Sequence, residues 1–332
     1  MDLSVKYLGL NLKSPIVVGS SGLNNSIENL KKIEKSGAGA VVLKSIFEEE
    51  IYNEYESIIN EELKNDAPNI GYLDYYDFKI KEDNIKDYLK LLEDAKSNIS
   101  IPVIASINCV CDYEWSFFAK KIQEAGADAL EVNLFILPSD FSKGCEEIEE
   151  RYFELVKKIK ENLTIPVSIK ISYYFSNLAA FVKRLSETGI DGIVAFNRFF
   201  HPDFDIDKFT IIPSNVLSHP SDLAISLRWT SILSGRLGCD LIASTGVHDG
   251  EAVVKQLLAG ADAVQTVSTL YKNGIEYISV MINDLKAWME KHNFEKIDDF
   301  KGKMSQVNSP NPAEYERVQF MKYFGHNKYD LD

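Results

Sequence analysis

The sequence predicts an α/β protein in which eight parallel strands alternate with helices and close into a (β/α)8 TIM barrel, with an N-terminal hairpin and loop insertions on its top face. The main observation is an internal repeat, because one junction recurs four times, as "SGAGAVVL", "AGADALEV", "TGIDGIVA" and "AGADAVQT". In each copy an amphipathic stretch ends in a glycine, and small residues then lead into a short apolar run. The unit therefore indicates a helix, a tight loop and a strand.

The glycines of this repeat predict where the helices end. Gly37, Gly126, Gly189 and Gly260 stand where a helix takes a left-handed residue as its C-terminal cap. The runs that follow them are apolar on both faces, which is typical of buried parallel strands.

Four further strands complete the predicted barrel. "IPVIASIN" and "IPVSIKIS" carry Pro102 and Pro166 at the strand entrance, where a missing amide is tolerated, and "PIVVGSS" and "DLIASTG" are the other two. A closed barrel is favoured over an open doubly wound sheet because no G-x-G-x-x-G fingerprint follows the first strand. The predicted strands are 16–21, 40–46, 102–108, 129–134, 166–172, 192–197, 240–246 and 263–269.

Several segments lie outside this pattern. "VKYLGLNLKSP" resembles a hairpin, while the tract 47–82 and the stretch 198–221, rich in Phe, Pro and Asp, are insertions of the kind that usually wall a pocket. The tail 294–332 contains "NSPNPAEYERVQF", which indicates a turn followed by a short helix. We expect one domain over 1–332, with 294–332 as a C-terminal extension.

Charge and hydropathy exclude several function classes. The chain has 36 Lys and Arg against 50 Asp and Glu, a net charge of −14, with no local basic patch. Because such a charge repels phosphate backbones and anionic lipid, we expect neither a nucleic-acid partner nor a membrane partner. No stretch reaches the roughly 18 apolar residues of a membrane span, and the first residues lack the pattern of a leader. The sequence therefore predicts a cytoplasmic protein.

The four cysteines, Cys109, Cys111, Cys145 and Cys239, are too few for a disulfide scaffold and fit a reducing compartment. Cys109 and Cys111 are one residue apart rather than the two usual in zinc or redox pairs, and no second pair stands near them. We expect free thiols, and neither a metal site nor an iron–sulfur centre within this chain.

In a barrel, the loops that follow the strands build the active site. Lys44 in "VVLKS" and Lys170 in "SIKIS" are informative there, because an ammonium group in an apolar strand is costly unless it meets an anion or an open cavity. A single lysine could simply extend its charge past the strand end. Two lysines, with Asn108, Asn133 and Asn197 on three other strands, favour a site.

The last two predicted strands suggest a phosphate site. "IASTGVHDGEAV" places Thr245, Gly246 and Val247 before a helix, and "VQTVSTLYKNG" places Val267 and Ser268 at the end of the next strand. Backbone amides at these positions can hold a phosphate, as they do after strands seven and eight of many barrels. Ordinary glycine and serine turns are the alternative. We expect a phosphorylated ligand, either substrate or cofactor.

On these residues the chain resembles the dihydroorotate dehydrogenases, the soluble FMN-dependent (β/α)8 enzymes of pyrimidine synthesis. "SPIVVGSSGL" is similar to the family's first flavin-contacting strand, "VVLKS" to its second, and "APNIGYLDYY" to its substrate-loop segment. "EVNL", "SIKIS" and "AFN" resemble its fourth, fifth and sixth strands. Each piece is weak alone, and the combination is specific.

The resemblance implies an FMN cofactor, a small-molecule substrate and a set of site residues. Those implied to hold the flavin are Ser20, Ser21, Gly22, Lys44, Ser45, Asn133, Lys170, Asn197, Thr245, Gly246, Val247, Val267 and Ser268. Those implied to hold the substrate are Lys44, Asn69, Asn133 and Asn197. Oxidising a C–C bond beside a carbonyl sends hydride to flavin, and a fixed cation such as Lys170 beside N1 and the C2 carbonyl stabilises the charge that results. The asparagines can donate to and accept from a planar pyrimidine.

The chain departs from the family where the base is expected. In the family, a short motif after the asparagine of the fourth strand carries the cysteine or serine that removes the substrate proton, and counting from Asn133 places Ile136 there. Isoleucine cannot take a proton. Pro138 replaces a polar residue just beyond, and an asparagine expected before "APNIG" falls near Leu63. The residues that could restore acid–base function from nearby are Ser139, Asp140, Cys145 and Cys109; a loop residue acts as a base only within hydrogen-bond reach.

Three readings therefore stay open. The preferred one is an FMN oxidoreductase of the CH–CH class, acting on dihydroorotate or on a different dihydropyrimidine or enone. A second is a barrel that binds a phosphorylated substrate directly, with Lys170 or Lys44 as base or Schiff-base lysine. A third is a flavin-binding module without turnover. The family also implies a homodimer, and the oxidant is either soluble or reached through an electron-transfer partner.

Overall fold

The computed structural model describes residues 1–47, 86–109, 115–198 and 201–316. Most of the predicted insertion 47–82 lies outside the described residues, as do Asn69 and Cys111.

The N-terminal hairpin is confirmed. Strand β1 (Val5–Tyr7) pairs antiparallel with β2 (Leu10–Leu12). Leu8 and Gly9 at the tip both have positive φ angles, 53° and 72°, as a two-residue hairpin turn requires. Leu8 is buried, and its backbone amide donates to the carboxylate of Asp240 at 2.7 Å. The hairpin therefore packs against the amino end of the barrel.

The closed barrel of eight parallel strands is also confirmed. The neighbour order is β3, β4, β6, β7, β8, β9, β12 and β13, and β13 pairs back to β3. The remaining strands, in chain order, are β3 (Ile16–Val18), β4 (Ala40–Val42), β5 (Ile46–Phe47), β6 (Val103–Cys109), β7 (Ala129–Leu134), β8 (Val167–Ile171), β9 (Gly192–Ala195), β10 (Pro202–Asp205), β11 (Thr210–Pro213), β12 (Asp240–Ala243) and β13 (Ala263–Thr266). Short β5 extends the sheet along β6.

Helices separate the strands, and side-chain caps set where several of them begin. Ser26, Asn177 and Asp249 each accept a hydrogen bond from a backbone amide in the first turn of the helix that follows. The helices are α1 (Ile27–Lys35), α2 (86–98), α3 (Trp115–Glu124), α4 (Cys145–Glu161), α5 (Leu178–Ser186), α6 (Leu223–Leu233), α7 (Gly250–Ala259), α8 (Ser268–Asn273) and α9 (Tyr277–Lys291).

The glycines of the sequence repeat adopt the expected left-handed conformation. The φ angles of Gly37, Gly126, Gly189 and Gly260 are 99°, 91°, 85° and 106°. Glycine alone takes this conformation without a steric penalty from a Cβ atom. Each therefore ends its helix and turns the chain into the next strand.

The aspartates of the repeat make a second, unforeseen contribution at the amino end of the barrel. Asp128, Asp191 and Asp262 each accept a hydrogen bond from a backbone amide at the start of the preceding barrel strand, those of Val103, Val167 and Leu241, at 2.7, 2.8 and 2.7 Å. Each also forms an ion pair with a lysine on another element, Lys96, Lys160 and Lys301 in turn. We call these three residues the aspartate clamps. They tie neighbouring strands together with one device used three times.

Most of the strands were predicted to extend too far at their carboxyl ends. Strands β3, β4 and β12 end three or four residues before their predicted ends, and β9 ends two residues before. Ser268 and Thr269 begin helix α8 instead of ending a strand. Beyond these points, buried side chains and turns form hydrogen bonds with backbone groups that a longer strand would have paired. The Asn24 amide, for example, donates to the carbonyls of Gly19 and Val42 at 2.8 and 2.6 Å. The residues that follow the strands are therefore loops, free to face a ligand.

The insertion after β9 folds back on itself. Strands β10 and β11 form an antiparallel hairpin, with Pro202 opposite Pro213. In the tail, the predicted short helix is a single 3₁₀ turn over Pro312–Tyr315, and residues beyond 316 lie outside the described part. Among the described residues, no helix has the length and apolar character needed to cross a membrane.

Candidate active site

A cavity of about 410 Å³ opens at the carboxyl ends of the barrel strands. Its size is within the usual range of small-molecule sites. The insertion after β9 forms one wall, as the sequence predicted. The described residues that line it are Ser20, Lys170, Asn197, Arg198, His201, Pro213, Ser214, Asn215, Val216, Leu217, Ser218, Ser244, Thr245, Gly246, Val247, Gln265, Thr266, Val267, Ser268 and Tyr271.

Lys170 lies at the floor of this cavity in a ring of buried polar side chains. Its ammonium group donates to Gln265 Oε1 at 2.9 Å and lies 3.4 Å from Glu131 Oε1. Gln265 Nε2 in turn donates to Glu131 Oε2. Only 8% of Lys170 is exposed, and only 1% of Glu131 and of Gln265. The predicted cavity lysine is thus fixed in place, by two partners that the sequence reasoning had not identified.

The loop after β12 depends on glycine. Thr245 and Gly246 have positive φ angles of 76° and 79°. A Cβ atom on Gly246 would lie 2.1 Å from the backbone nitrogen of Leu223, at the start of α6, so no larger residue fits. The hydroxyl of Thr266 donates to the Val247 carbonyl at 3.0 Å, which joins this loop to the end of β13. The structure thus brings together the residues for which a phosphate site was predicted.

The segment 214–218 closes this end of the cavity. The Ser218 amide donates to Ser268 Oγ at 2.9 Å, and Ser218 Oγ lies 3.0 Å from His248 Nε2. Lys272 Nζ donates to the Ser218 carbonyl at 3.3 Å. Burial, and next the charge of Lys272, lowers the pKa of His248, which favours the neutral imidazole.

Arg198, the residue after Asn197, holds the same segment from the other side. Its guanidinium pairs with Asp222 at 2.8 Å and donates to the carbonyls of Asn215 and Val216. A planar group with several donors suits such a role.

Ser20, which lines the cavity, belongs to a cluster of serine residues. Ser20 Oγ lies 3.0 Å from Ser45 Oγ and accepts from the Ser45 amide at 2.9 Å, and Ser45 Oγ lies 2.8 Å from Ser106 Oγ. Ser21 has a buried hydroxyl without a hydrogen-bond partner among the described residues. Lys44 is exposed and does not number among the described residues that line the cavity.

Asn133 and Asn197 meet at the cavity, which Asn197 lines. Asn197 Nδ2 donates to Asn133 Oδ1 at 2.8 Å, across the end of β8 between them. The structure therefore brings Asn133, Asn197 and Lys170 to one region.

The loop after β7 does not place a base in the described cavity. The Ile136 amide donates to the Tyr152 hydroxyl at 3.0 Å, and the Ile136 side chain packs against the core. Burial raises the pKa of Tyr152 to about 12. Ser139 and Cys145 are both exposed, and neither is among the described residues that line the cavity. Asp140 is hydrogen-bonded to Ser142.

The residues that sequence reasoning missed fall into two groups. Glu131 and Gln265 carried the signal that marked the lysines, a polar side chain inside an apolar strand, in "LEVNL" and "AVQTV". Arg198, His201 and Ser218 carried no comparable signal, because their placement depends on how the insertion folds. In the parts of the chain described here, no cluster of three His, Cys, Asp or Glu side chains could hold a metal ion.

The fold and site define a (β/α)8 barrel with a polar carboxyl-end cavity, a fixed ammonium group at its floor and a tight glycine turn in its lining. A dihydroorotate dehydrogenase family model matches residues 2–289. Proteins named dihydroorotate dehydrogenase B (NAD(+)), catalytic subunit, are similar to the chain. The one from Thermoplasma volcanium is 27% identical, over 91% of this chain and 98% of its own length. The one from Pyrococcus furiosus is 27% identical, over 92% and 100%.

The chain therefore belongs to the dihydroorotate dehydrogenase family, whose members are flavin-dependent oxidoreductases. The resemblance noted from the sequence is confirmed.

Proposed function

We propose that this protein is an FMN-dependent oxidoreductase that acts on a CH–CH bond next to a carbonyl, with the oxidation of dihydroorotate to orotate as its leading reaction. The observation that carries the proposal is the Lys170 ammonium group, held at the floor of the cavity by Gln265 at 2.9 Å. Family membership supports the same reaction class.

The residues present fit FMN. The unpartnered buried hydroxyl of Ser21 and the serines around Ser20 offer hydrogen bonds to a ring system. The backbone of Gly246, which carries no Cβ atom, and of Val247 would hold the phosphate, together with Val267 and Ser268 after the neighbouring strand. Because Ser20 and the loop at Gly246 line the same cavity, one ligand can place a planar ring near the serine and an anionic group near the loop.

Bound FMN would supply the acceptor for the hydride that leaves the substrate. The chain's own residues orient the reactants and stabilise charge. Lys170 would place a positive charge beside the ring, where negative charge develops on reduction, and such preorganised charge is usually the largest contribution to catalysis. Asn133 and Asn197, together with Asn69 and Lys44, would bind the substrate's carbonyl and N–H groups.

Proton removal from the substrate is assigned to Ser139, on the loop after β7, or to Cys145, the first residue of α4 at the end of that loop. Both residues are exposed, so the assignment requires this loop to move toward the bound substrate. Ile136 at the family's base position favours a second candidate function, in which the same flavin chemistry acts on a different dihydropyrimidine or an enone.

The relatives from Thermoplasma and Pyrococcus are named as catalytic subunits of NAD(+)-linked enzymes. By that likeness, an electron-transfer partner subunit would accept electrons from this chain. The homodimer and the cytoplasmic location also stay predictions.

The test begins with purification and FMN titration of the full chain. We expect a yellow protein, or one that gains flavin absorbance on adding FMN; a colourless protein that does not would rule out the flavin proposal. The oxidised enzyme is then mixed anaerobically with dihydroorotate, dihydrouracil and dihydrothymine, and enzyme reduced beforehand with dithionite is mixed with a simple cyclic enone. Bleaching of the flavin by dihydroorotate supports the leading reaction. Bleaching by dihydrouracil or dihydrothymine alone, or turnover of the enone by the reduced enzyme, supports the second candidate function. If no compound changes the flavin absorbance, the protein is a flavin-binding module without turnover.

A further inference from the structure

We infer that Glu131 is a positioning residue for Lys170: its carboxylate holds the ammonium group at the cavity floor, although Glu131 itself is not among the described lining residues. The inference deepens the proposed FMN-dependent function and rests on it. It begins from the ring formed by Glu131, Gln265 and Lys170.

The three side chains come from three different strands, β7, β8 and β13, and meet inside the barrel. The Glu131 carboxylate uses both oxygens, Oε1 toward Lys170 and Oε2 as acceptor from Gln265. Gln265 accepts from Lys170 with its oxygen and donates to Glu131 with its nitrogen. Each member therefore fixes the orientation of the other two.

Burial makes this arrangement costly as a purely structural feature. Glu131 is 1% exposed, and its chain neighbours Leu130 and Val132 are completely buried. Replacing a buried ion pair with apolar residues of similar volume is often neutral or stabilising. A carboxylate at this depth is therefore better explained by what it does to the lysine than by packing.

Hydrogen-bond chemistry specifies a carboxylate at position 131. An ammonium group has three N–H donors, and the ring takes two of them, which leaves one for the cavity that Lys170 lines. Glutamine in place of Glu131 has one acceptor oxygen instead of two. Its NH₂ group would then face a donor, either Lys170 or Gln265, and the ring would open.

The experiment measures the midpoint potential of FMN bound to the full chain. Lys170→Met is expected to lower this potential, because the positive charge near the flavin is lost. Glu131→Gln should lower it in the same direction by a smaller amount, since Lys170 is released rather than removed. In the Lys170→Met background, Glu131→Gln should have no further effect, which is the mark of a residue that acts through another.

Asp262→Asn is the matched control, because it breaks a clamp ion pair at the opposite end of the barrel. It should leave the potential unchanged. Glu131→Asp retains the charge on a shorter side chain and should give an intermediate potential, so it serves if Glu131→Gln does not fold. A raised potential in Glu131→Gln would mean that Glu131 is only a counter-charge. An unchanged potential, or a full additional effect in the Lys170→Met background, would equally overturn the inference.

A flavin-free measurement separates this inference from the proposed function. Acetic anhydride labels amines that are free and unprotonated, and mass spectrometry reports the rate at Lys170. The held ammonium group of the wild-type chain should react slowly, and Glu131→Gln should react several-fold faster, while Lys272 keeps its rate. Equal rates at Lys170 would refute the positioning role even if FMN binds. Failure of the wild-type chain to bind FMN would refute the proposed function and leave the labelling result to decide on Glu131.

Discussion

The two ends of the barrel are built in opposite ways. At the amino end one contact recurs, in which Asp128, Asp191 and Asp262 each accept from an amide at the start of the neighbouring strand and pair with a lysine. At the carboxyl end the polar groups differ from strand to strand, from the serine cluster around Ser45 to the ring around Lys170. Uniform contacts join strands and carry no chemical selectivity, whereas the varied groups converge on a cavity. Stability and chemistry are thus separated along the barrel axis, as is general for this fold.

The separation predicts that changes at the carboxyl end alter flavin chemistry, and that changes at the amino end alter folding. The largest effect is expected for Lys170→Met. The rate of flavin reduction in anaerobic stopped-flow mixing should fall by about 10²–10³, the usual loss when a group that stabilises transition-state charge is removed. FMN affinity should fall much less. Lys301→Met, at the amino end, should keep the wild-type rate; an equal loss in both variants would contradict the separation.

Gly246→Ala should be next in size. The new Cβ atom would lie 2.1 Å from the backbone of Leu223, and the φ angle of 79° is unfavourable for alanine. Strain of about 1–3 kcal/mol would weaken FMN binding roughly tenfold to a hundredfold, if the loop relaxes by opening the phosphate site. Fluorescence titration with FMN measures this. Gly9→Ala, with a φ angle of 72° in the N-terminal hairpin, should lose stability and retain FMN affinity.

Asp191→Ala tests the amino end directly. The Val167 amide and Lys160 would lose their shared partner, so the free energy of unfolding should fall by about 1–3 kcal/mol. Denaturant unfolding measures the loss, and the rate of flavin reduction should stay the same. Glu187→Ala breaks an exposed helix ion pair with Lys183 and should cost only about 0.3–0.5 kcal/mol. If Asp191→Ala reduced the flavin more slowly than wild type at full occupancy of FMN, the two ends would be coupled.

The smallest effect concerns pH. The pKa of buried His248 is lowered in the folded protein, so the unfolded chain binds a proton more readily. The free energy of unfolding should therefore fall as the pH drops through the ordinary histidine pKa of 6.5 and below. His248→Gln, which can still bind Ser218, should make this pH dependence shallower. Denaturant unfolding at several pH values measures this. If the prediction is wrong, the free energy of unfolding will depend on pH equally in His248→Gln and in the wild type.

Much of the scaffold was predictable because it repeats. The glycine caps, the order of the barrel strands and the N-terminal hairpin follow from local rules about positive φ angles, apolar runs and short turns. The strand ends were less predictable, because side chains such as Asn24 and turns such as Thr245–Gly246 capture backbone groups that a longer strand would use. The same repeat contained the aspartate clamps, whose role depends on how each strand pairs with the one before it.

The site likewise contains residues that the sequence could predict and contacts that it could not. Lys170, Asn133, Asn197 and the glycine turn at Gly246 could be placed at strand ends from the sequence alone, because parallel strands in a barrel all end on one face. The cavity that Lys170, Asn197 and Gly246 share depends on the folded insertion, and so do its wall at residues 214–218 and the contacts of Ser218.

The sequence by itself determined the alternation of helices and strands, the closed barrel and the family, since these depend on local periodicity and on motifs read in order. Only the tertiary structure decided that Glu131, Lys170 and Gln265 close one hydrogen-bonded ring, 95 residues separating the last two. The physical reason is that a buried charge is tolerable only where its partners converge, and that convergence arises from barrel closure, which brings distant strands within hydrogen-bond distance.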